Sequence, residues 1–262
     1  MTPPTALRCD AIGAPFVHGF STRAGGVSEG RFQGLNLGAR WGDPPANVDA
    51  NRRRLLELLG VPAPLYVARQ VHGTDVVRVL AGDDPEAVAN VEADALMTGD
   101  ADVTLGVHVA DCSPALFFDP ETGAIAAAHA GWRGTVAGVL PAVVHAMHRE
   151  FGTRPQKVQV VLGPAIGRCC FEVGADVVSA LDRALGGSLE TVVESSPRGV
   201  AGRWHASLNA ANRLLLERAG VSPGAIHALP DCTSCDPVRF FSYRRDGAPT
   251  GQQMGIVARL ST

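Results

Sequence analysis

VTLGVHVADCSPALFF, residues 103–118, contains two apolar runs of strand length separated by a short polar turn. The runs Val103–Ala110 and Ala115–Phe118 are bounded by Asp and Pro, which is typical of strands that end at a tight connection. The turn between them carries Asp111 and Cys112. Because strand ends are where a rigid scaffold exposes reactive side chains, this stretch predicts a sheet with a functional site at its edge.

Similar apolar runs extend outward on both sides of this stretch. They predict further strands at Leu65–Ala68, Val76–Leu80, Ala124–Ala128, Val158–Leu162, Ile226–Leu229, Phe240–Tyr243 and Gly255–Leu260. Helices are predicted at Pro45–Leu59, at Thr135–Glu150 with an interruption or kink at Pro141, at Ala175–Ala184 and at Leu208–Arg218. Strands and helices interleave without a strict βαβ rhythm. We therefore expect an α/β fold, a single compact domain over residues 1–262 with mixed β-sheets flanked by helices.

Length, composition and charge exclude several classes of protein. The 262 residues are 46% hydrophobic and 19% charged, which indicates a globular chain with a substantial core. A net charge of −3 and the lack of a membrane-length apolar run predict no nucleic acid and no membrane as partners. No secretory signal is visible, so we expect a cytoplasmic protein, monomeric by default. Lys157 is the only lysine, so Arg or backbone amides would have to hold any anion.

Three segments place a metal-capable side chain where a predicted strand meets a turn: QVHGTD (70–75), ADCSP (110–114) and HAGWRG (129–134). Their residues His72, Cys112 and His129 supply two imidazoles and one thiolate, the ligand set of a catalytic zinc site with one open coordination position. The spacing does not distinguish such a site from two hydrogen-bonded core histidines and a buried thiol. Taken alone, these residues leave both interpretations open.

The motifs QVHGTDV, ADCSP and HAGWRGT, with HGFSTRAGGVS, LNLG, GPAIGRCCFEVG and FFSYRRDG, closely resemble the YfiH/LACC1 family. This is the DUF152 group, once labelled multicopper polyphenol oxidase. The motifs occur in matching order from His18 to Ile256. The resemblance implies a compact α/β fold related to cytotoxic necrotizing factor-type cysteine hydrolases. It also implies a zinc-dependent purine nucleoside phosphorylase with adenosine deaminase activity, whose zinc ligands carry over to His72, Cys112 and His129.

This resemblance implies adenosine, inosine, guanosine and methylthioadenosine as substrates, with inorganic phosphate as the second substrate. In other zinc deaminases a carboxylate moves protons near the metal. Asp111 and Asp75 are the local carboxylates and our candidates for that catalytic role. On a strand Asp111 would point away from Cys112, so it could instead orient a ligand.

Phosphorolysis requires fixed cations, because the forked guanidinium of Arg matches phosphate oxygens. Arg133, four residues after His129, is the first candidate, both for catalysis and for substrate binding, and Arg52 is the second. Surface ion pairs are the alternative for both. The Gly-rich loop 25–38 could close over the substrate, with the Asn36 amide donating and accepting hydrogen bonds. The alternative for this loop is a tight hairpin.

His108 and Gln252 are departures from the family pattern. On a strand, His108 would face the same side as Cys112, as a competing fourth ligand or a proton carrier, but a hydrogen-bonded core histidine is the favoured interpretation. Gln252 stands where the family usually has Arg, which puts the substrate preference in question. Cys232 and Cys235 have zinc-knuckle spacing, but a structural site needs a second pair, which only Cys169-Cys170 or Cys9 could supply. We expect neither a second metal site nor a redox role there.

Rival functions remain open. A copper polyphenol oxidase would need many imidazoles, and the chain has eight histidines with no His-x-His pair, although copper could substitute for zinc at one site. A cysteine-type amide hydrolase would use Cys112 as nucleophile and His129 as base. A peptidoglycan-precursor editing enzyme would place a different substrate at the same zinc site. A zinc-stabilised binding module would unfold when the metal is lost.

Overall fold

A computed structural model describes residues 3–196 and 199–261, so positions 1 and 262, the predicted domain limits, lie outside the described residues. The described residues form the strands β1 (Ala6–Leu7), β2 (Phe16–Ser21), β3 (Leu65–Tyr66), β4 (Val76–Arg78), β5 (Ala95–Thr98), β6 (Thr104–Val109), β7 (Ser113–Phe118), β8 (Ile125–Ala130), β9 (Gln159–Leu162), β10 (Glu172–Val173), β11 (Val193–Ser195), β12 (Trp204–Ala206), β13 (Ile226–Ala228) and β14 (Gln253–Arg259). The helices are α1 (Pro45–Leu59), α2 (Pro85–Ala89), α3 (Trp132–Ala137), α4 (Val139–Phe151), α5 (Ala175–Leu185), α6 (Leu208–Arg218) and α7 (Tyr243–Asp246). Of the helices in these described residues, none is long and apolar enough to cross a membrane.

Two large mixed sheets confirm the predicted α/β class. The five-stranded sheet has the order β1-β2-β14-β6-β3 and is antiparallel except between β3 and β6. The six-stranded sheet has the order β13-β9-β7-β8-β5-β4 and is parallel only at its two edge pairs. Consecutive strands β6 and β7 belong to different sheets. The turn at Ala110–Cys112 therefore carries the chain from one sheet to the other and does not form a hairpin.

The large sheets pack face to face, with helices on both outer faces. Side chains from both sheets, including Leu105 and Val257 from one and Leu116 and Ile125 from the other, form the core between them. Helix α1 covers the outer face of the five-stranded sheet, whereas α4 and α6 cover that of the six-stranded sheet. Strands buried on both faces read as continuous apolar runs, which is why the sequence marks them clearly.

A smaller sheet, β10-β12-β11, packs with α5 and α6 beside the large sheets. Its core includes Phe171, Val177, Leu181 and Leu208, and Trp132 of α3 packs against it. This small layer forms a side wall next to the β6–β7 turn. The short strands β10 and β11 have two and three residues, too few for a recognisable alternation of apolar and polar side chains.

The predicted bounds of α1 and α6 are confirmed, whereas two other predictions are corrected. The helix predicted over Thr135–Glu150 is two helices, and the break lies at Gly138, whose φ of 89° is left-handed. Pro141 lies in the first turn of α4, where its missing N–H costs no intrahelical bond. The strand predicted at Phe240–Tyr243 is wrong. Phe240 is buried by packing, and Ser242 caps the short helix α7.

Candidate active site

Three separate connections bring His72, Cys112 and His129 together. His72 lies in the loop between β3 and β4 with a left-handed φ of 61°. Cys112 ends the turn between the two sheets, directly after Asp111, whose φ is 90°. His129 lies near the end of β8. Non-glycine residues seldom adopt positive φ, and such positions concentrate at functional sites, where packing holds them in place.

The candidate ligand atoms of these three residues all lie within 4.8 Å of one another. The His72 and His129 rings meet edge to face with their centroids 4.8 Å apart. The adjacent Gly131 keeps this space open, since a Cβ there would lie 2.5 Å from His72 Nδ1 and 3.0 Å from Cys112 Sγ. The three residues could therefore hold a metal ion. Their donor set, two nitrogens and one sulfur, fits zinc with one coordination position left over.

Asp94 is the central residue that the sequence did not reveal. Its carboxylate lies 2.7 Å from His129 Nδ1 and accepts backbone N–H groups of Val71, His72 and Gly73 at 3.1, 3.0 and 2.6 Å. The carboxylate is buried. It therefore fixes the orientation of one histidine and the loop that carries the other, the role that carboxylates play behind metal-binding imidazoles.

Electrostatics within this group follow from these contacts. Burial raises the pKa of Asp94, but the hydrogen bonds from His129 and from backbone amides outweigh it and lower the pKa below its ordinary value. Burial lowers the pKa of His129, but the Cys112 sulfur and Asp94 together raise it to about 9. Burial and the neighbouring His129 lower the pKa of His72, against the attraction of Asp94. The two histidines thus differ in basicity, because Cys112 and then Asp94 raise the pKa of His129, whereas burial and His129 lower that of His72.

The three residues line a cavity of about 930 Å³. Its wall is rich in arginine and aromatic side chains: Arg40, Trp41, Arg52, Arg69, Trp132, Arg133, Phe171, Tyr243 and Arg244. Among the described lining residues Asp111 is the one carboxylate, and its oxygens are already engaged. The cavity is therefore suited to an anion together with a flat aromatic ring.

Arg52 lies half-buried in this wall. Its Nε donates to Leu37 O at 3.1 Å and its Nη2 lies 3.2 Å from His108 Nε2. Within the described part of the chain no carboxylate forms an ion pair with it, and burial lowers the pKa of its guanidinium. His108 lies outside the three-residue group, with its Nε2 3.0 Å from Leu37 O. Burial and then Arg52 lower the pKa of His108 to about 3, so this histidine is neutral, as the favoured interpretation expected.

Arg133 extends along the same cavity at the start of α3. Its guanidinium lies 4.4 Å from the centroid of the Trp132 ring, and the residue is exposed. In residues 3–196 and 199–261 it has neither a hydrogen bond nor an ion pair, so its donors face solvent in the cavity. The surface ion pair considered as an alternative for Arg133 is absent from the described residues.

Asp111 and Asp75 occupy positions unlike those expected of proton carriers. Asp111 accepts hydrogen bonds from Thr233 Oγ1 at 2.6 Å, Ser242 Oγ at 3.0 Å and Arg244 N at 2.6 Å. Its carboxylate therefore ties the turn to two distant segments, and three of its roughly four acceptor sites are occupied. Asp75 is exposed and is not among the cavity-lining residues, so the fold does not bring it to the ligand group.

Asn36 also lies away from the cavity. Its amide nitrogen donates to Gly38 O and Asp43 Oδ2, and its oxygen accepts the N–H groups of Gly38 and Gln252. These bonds saturate the amide inside the fold, so the expected contact with substrate is corrected to a structural role. Gln252 does line the cavity, where it places a neutral amide in the position that the sequence comparison with the family assigned to Arg.

The four cysteines Cys169, Cys170, Cys232 and Cys235 converge on one point, although the sequence led us to expect no second metal site there. All four sulfur atoms lie within 4.8 Å of one another. Phe171, directly after Cys170, lines the cavity, so this four-cysteine cluster lies beside the cavity wall. The fold supplies the second pair, because the segment between β9 and β10 runs beside the chain at residue 232, where Ala165 pairs with Cys232.

Comparisons with known proteins agree on one family. The family described as "Multi-copper polyphenol oxidoreductase laccase" matches residues 17–260. "Purine nucleoside phosphorylase YlmD" of Geobacillus stearothermophilus is 39% identical over 97% of this chain and 94% of its own. "Adenosine deaminase RL5" of an unknown prokaryotic organism is 38% identical over 90% and 91%. The crystal structure of Bacillus licheniformis hypothetical protein YfiH matches with a TM-score of 0.88 and 32% identity, over 94% of this chain and 93% of that one.

Proposed function

Because the chain belongs to the family of multi-copper polyphenol oxidoreductase laccase proteins, which includes YfiH, we propose that it is a zinc-dependent purine nucleoside phosphorylase that also deaminates adenosine at the same site. The observation that carries this proposal is the buried Asp94–His129 pair, which holds the ligand group at an arginine-rich cavity. His72, Cys112 and His129 would hold the zinc ion. Bound zinc would supply Lewis acidity at the cavity floor.

The chain's own residues provide for both substrates. Arg133 has no hydrogen bond or ion pair among the described residues, and Arg52 has no carboxylate partner there. Both would bind phosphate oxygens through charge-assisted hydrogen bonds. Trp41 and Tyr243 stack with their ring centroids 5.9 Å apart and 22° between planes. Aromatic faces of this kind would pack against a purine ring. Phosphate and base would thus be held from different sides of one cavity.

Inorganic phosphate must reach C1′ of the ribose while the purine leaves. Holding two reactants in one orientation converts a bimolecular reaction into an effectively unimolecular one. This positioning removes a large part of the activation barrier in such transfers. Arg133 would fix the phosphate without a covalent step on the protein. Asp94 would act by keeping His129 in one orientation, because its own oxygens are occupied by His129 and by backbone amides.

The test is to incubate the purified, metal-analysed protein with adenosine, with and without phosphate, and to separate the products. We expect adenine and ribose 1-phosphate only with phosphate, and inosine in both samples. The Cys112→Ser variant should form none of these products, and Cys9→Ser, which changes a cysteine outside both cysteine groups, should behave as wild type. Unchanged adenosine with a full complement of zinc would refute the proposal.

A chelator distinguishes the proposal from thiol chemistry. Asp94, His129 and Cys112 lie in series, as a carboxylate, base and nucleophile would in a cysteine hydrolase. Removing the metal should abolish nucleoside turnover and restoring zinc should recover it. Amide hydrolysis that survives chelation would instead identify Cys112 as a nucleophile, and oxidation of a polyphenol only with copper would support an oxidase.

A further inference from the structure

We propose that the four-cysteine cluster is a second metal site, a structural zinc site held by four thiolates. Cys235 Sγ lies 3.4 Å from Cys169 Sγ and 3.3 Å from Cys170 Sγ, and all four sulfurs lie within 4.8 Å of one another. Tetrahedral zinc–sulfur bonds of about 2.3 Å place pairs of sulfurs about 3.8 Å apart. The observed spacing needs only small side-chain rotations to reach that geometry.

The backbone positions the two cysteine pairs independently of any metal. Thr233 N donates to Ala165 O at 3.0 Å, and Gly167 N donates to Cys232 Sγ at 3.1 Å. Gly167 packs tightly against the cluster, since a Cβ there would lie only 3.1 Å from Cys232 Cβ and 3.2 Å from Cys169 Sγ. The backbone at Gly167 therefore lies directly against both cysteine pairs, and its N–H donates to one of the sulfurs.

Metal binding accounts for the arrangement better than disulfide bonding does. A disulfide would join sulfurs in pairs, whereas Cys235 Sγ is almost equally close to two of them and all four cysteines are free. A set of four sulfurs is the donor set of structural zinc or of iron–sulfur centres. With all four positions occupied by protein, such a zinc site is closed to substrate and contributes to folding.

The proposed site would stiffen the wall of the neighbouring cavity. Thr233, directly after Cys232, donates to Asp111 Oδ1, and Ile166 N donates to Asp111 O at 2.9 Å. Arg244, which lines the cavity, reaches Cys170 O at 3.4 Å. Zinc at the cluster would therefore hold together the two segments, at Ile166 and Thr233, that hydrogen-bond to the turn carrying Cys112. This inference does not depend on the proposed function.

Zinc counting tests the site directly. Protein purified without added metal is analysed by mass spectrometry for metal per chain and for intact mass under non-reducing conditions. We expect two zinc ions in wild type and in the Cys9→Ser control, and one in Cys235→Ser. The proposal is overturned if Cys235→Ser and wild type bind equal zinc, if iron is the bound metal, or if the intact mass shows disulfides among these cysteines.

Two measurements keep the result interpretable. The Cys112→Ser variant should retain one zinc, whose X-ray absorption spectrum shows four sulfur neighbours, and cobalt substitution should give strong thiolate-to-metal absorption. If Cys112→Ser retains the wild-type zinc count, the first site has failed while the four-cysteine site stands. If Cys235→Ser does not fold, the X-ray absorption spectrum of the wild-type protein is used instead. An average of one sulfur neighbour per zinc ion would overturn the four-cysteine site.

Discussion

The two cysteine-containing groups of this protein differ in what surrounds them. The group of His72, Cys112 and His129 has three donors, a buried carboxylate behind one of them and an open cavity in front. The four-cysteine cluster has four donors, contacts from a backbone amide and no such carboxylate among the described residues of its group. Three ligands with a free position are typical of catalytic metal sites, and four are typical of structural ones. The number of donor atoms and the open space beside them therefore distinguish a catalytic type of site from a structural type.

The largest effect we expect comes from replacing one ligand in each group: one variant should lose activity and the other should lose stability. Cys112→Ser should abolish nucleoside turnover with a small change in melting temperature, because Cys112 lies half-exposed at the cavity. Cys235→Ser should lower the melting temperature by several degrees and leave measurable turnover, since a structural metal contributes to folding. Product chromatography and calorimetry on the same preparations check both. If the two variants lost the same activity and had the same melting temperature, the two groups would not have separate catalytic and structural roles.

The next largest effect concerns the carboxylate behind His129. Asp94→Asn keeps the shape but loses the charge, and we expect roughly a 10- to 100-fold loss of metal affinity or activity. Competition with a chromophoric chelator measures the affinity. Asp75→Asn is the matched control, because Asp75 is exposed and lies outside the cavity lining. An Asp94→Asn protein with wild-type affinity and turnover would show that orientation of His129 does not matter.

A smaller and more selective effect is expected at Arg133. Replacing it with Gln removes a charge that no described residue neutralises, so the KM for phosphate should rise about tenfold, the size expected for one charge-assisted hydrogen bond. Deamination of adenosine in the absence of phosphate should not change. Arg53→Gln, at an exposed position on α1, is the control. Equal damage to both reactions would assign Arg133 to the base or to the fold instead of phosphate.

Acid sensitivity of the fold itself should affect the two cysteine-containing groups least directly, and it must be separated from metal loss. His18 is buried and accepts Cys9 N–H at 2.9 Å, and burial, with Arg8, lowers its pKa from 6.5 to about 4. Between these values the unfolded chain binds the proton and the folded chain does not. Stability from this group is therefore present above pH 6.5 and is lost as the pH falls towards 4, by at most about 3 kcal/mol.

Denaturant melts of the metal-free protein at pH 7 and pH 4.5 measure this contribution. His18→Gln should lose less stability on acidification than wild type does, because Gln can accept the same N–H without titrating. If both proteins lost the same stability on acidification, His18 would not be the source of the acid sensitivity. The pH dependence of the two cysteine-containing groups could then be interpreted without a correction for His18.

Local sequence patterns predicted the elements that are long or buried on both faces. Helices α1 and α6 have regular apolar spacing and clear ends, so their bounds could be predicted to the residue. The break at Gly138 was missed because Pro is the stronger local breaker, although the first turn of a helix tolerates it. The strand predicted at Phe240–Tyr243 failed because an apolar run is buried here by packing alone.

The site was predictable where residues sit in recognisable motifs and not where tertiary folding selects the partner. His72, Cys112 and His129 stand in motifs that resemble those of a known family. Asp94 lies 35 positions before His129 in a stretch without any chemical signature, and only the pairing of β5 with β8 brings them together. Asn36 looked equally suited to substrate, but buried neighbours occupy all its hydrogen-bonding capacity.

The four-cysteine cluster draws its two pairs from opposite sides of the exposed Gly186–Gly187 loop that follows α5. A chain divided at that loop would leave His72, Cys112 and His129 on one fragment, together with Cys169 and Cys170. The other two cysteines would belong to the second fragment. Zinc at the proposed site would then cross-link the halves, so reassembly of a split protein would become metal-dependent and would report on the cluster in isolation from catalysis.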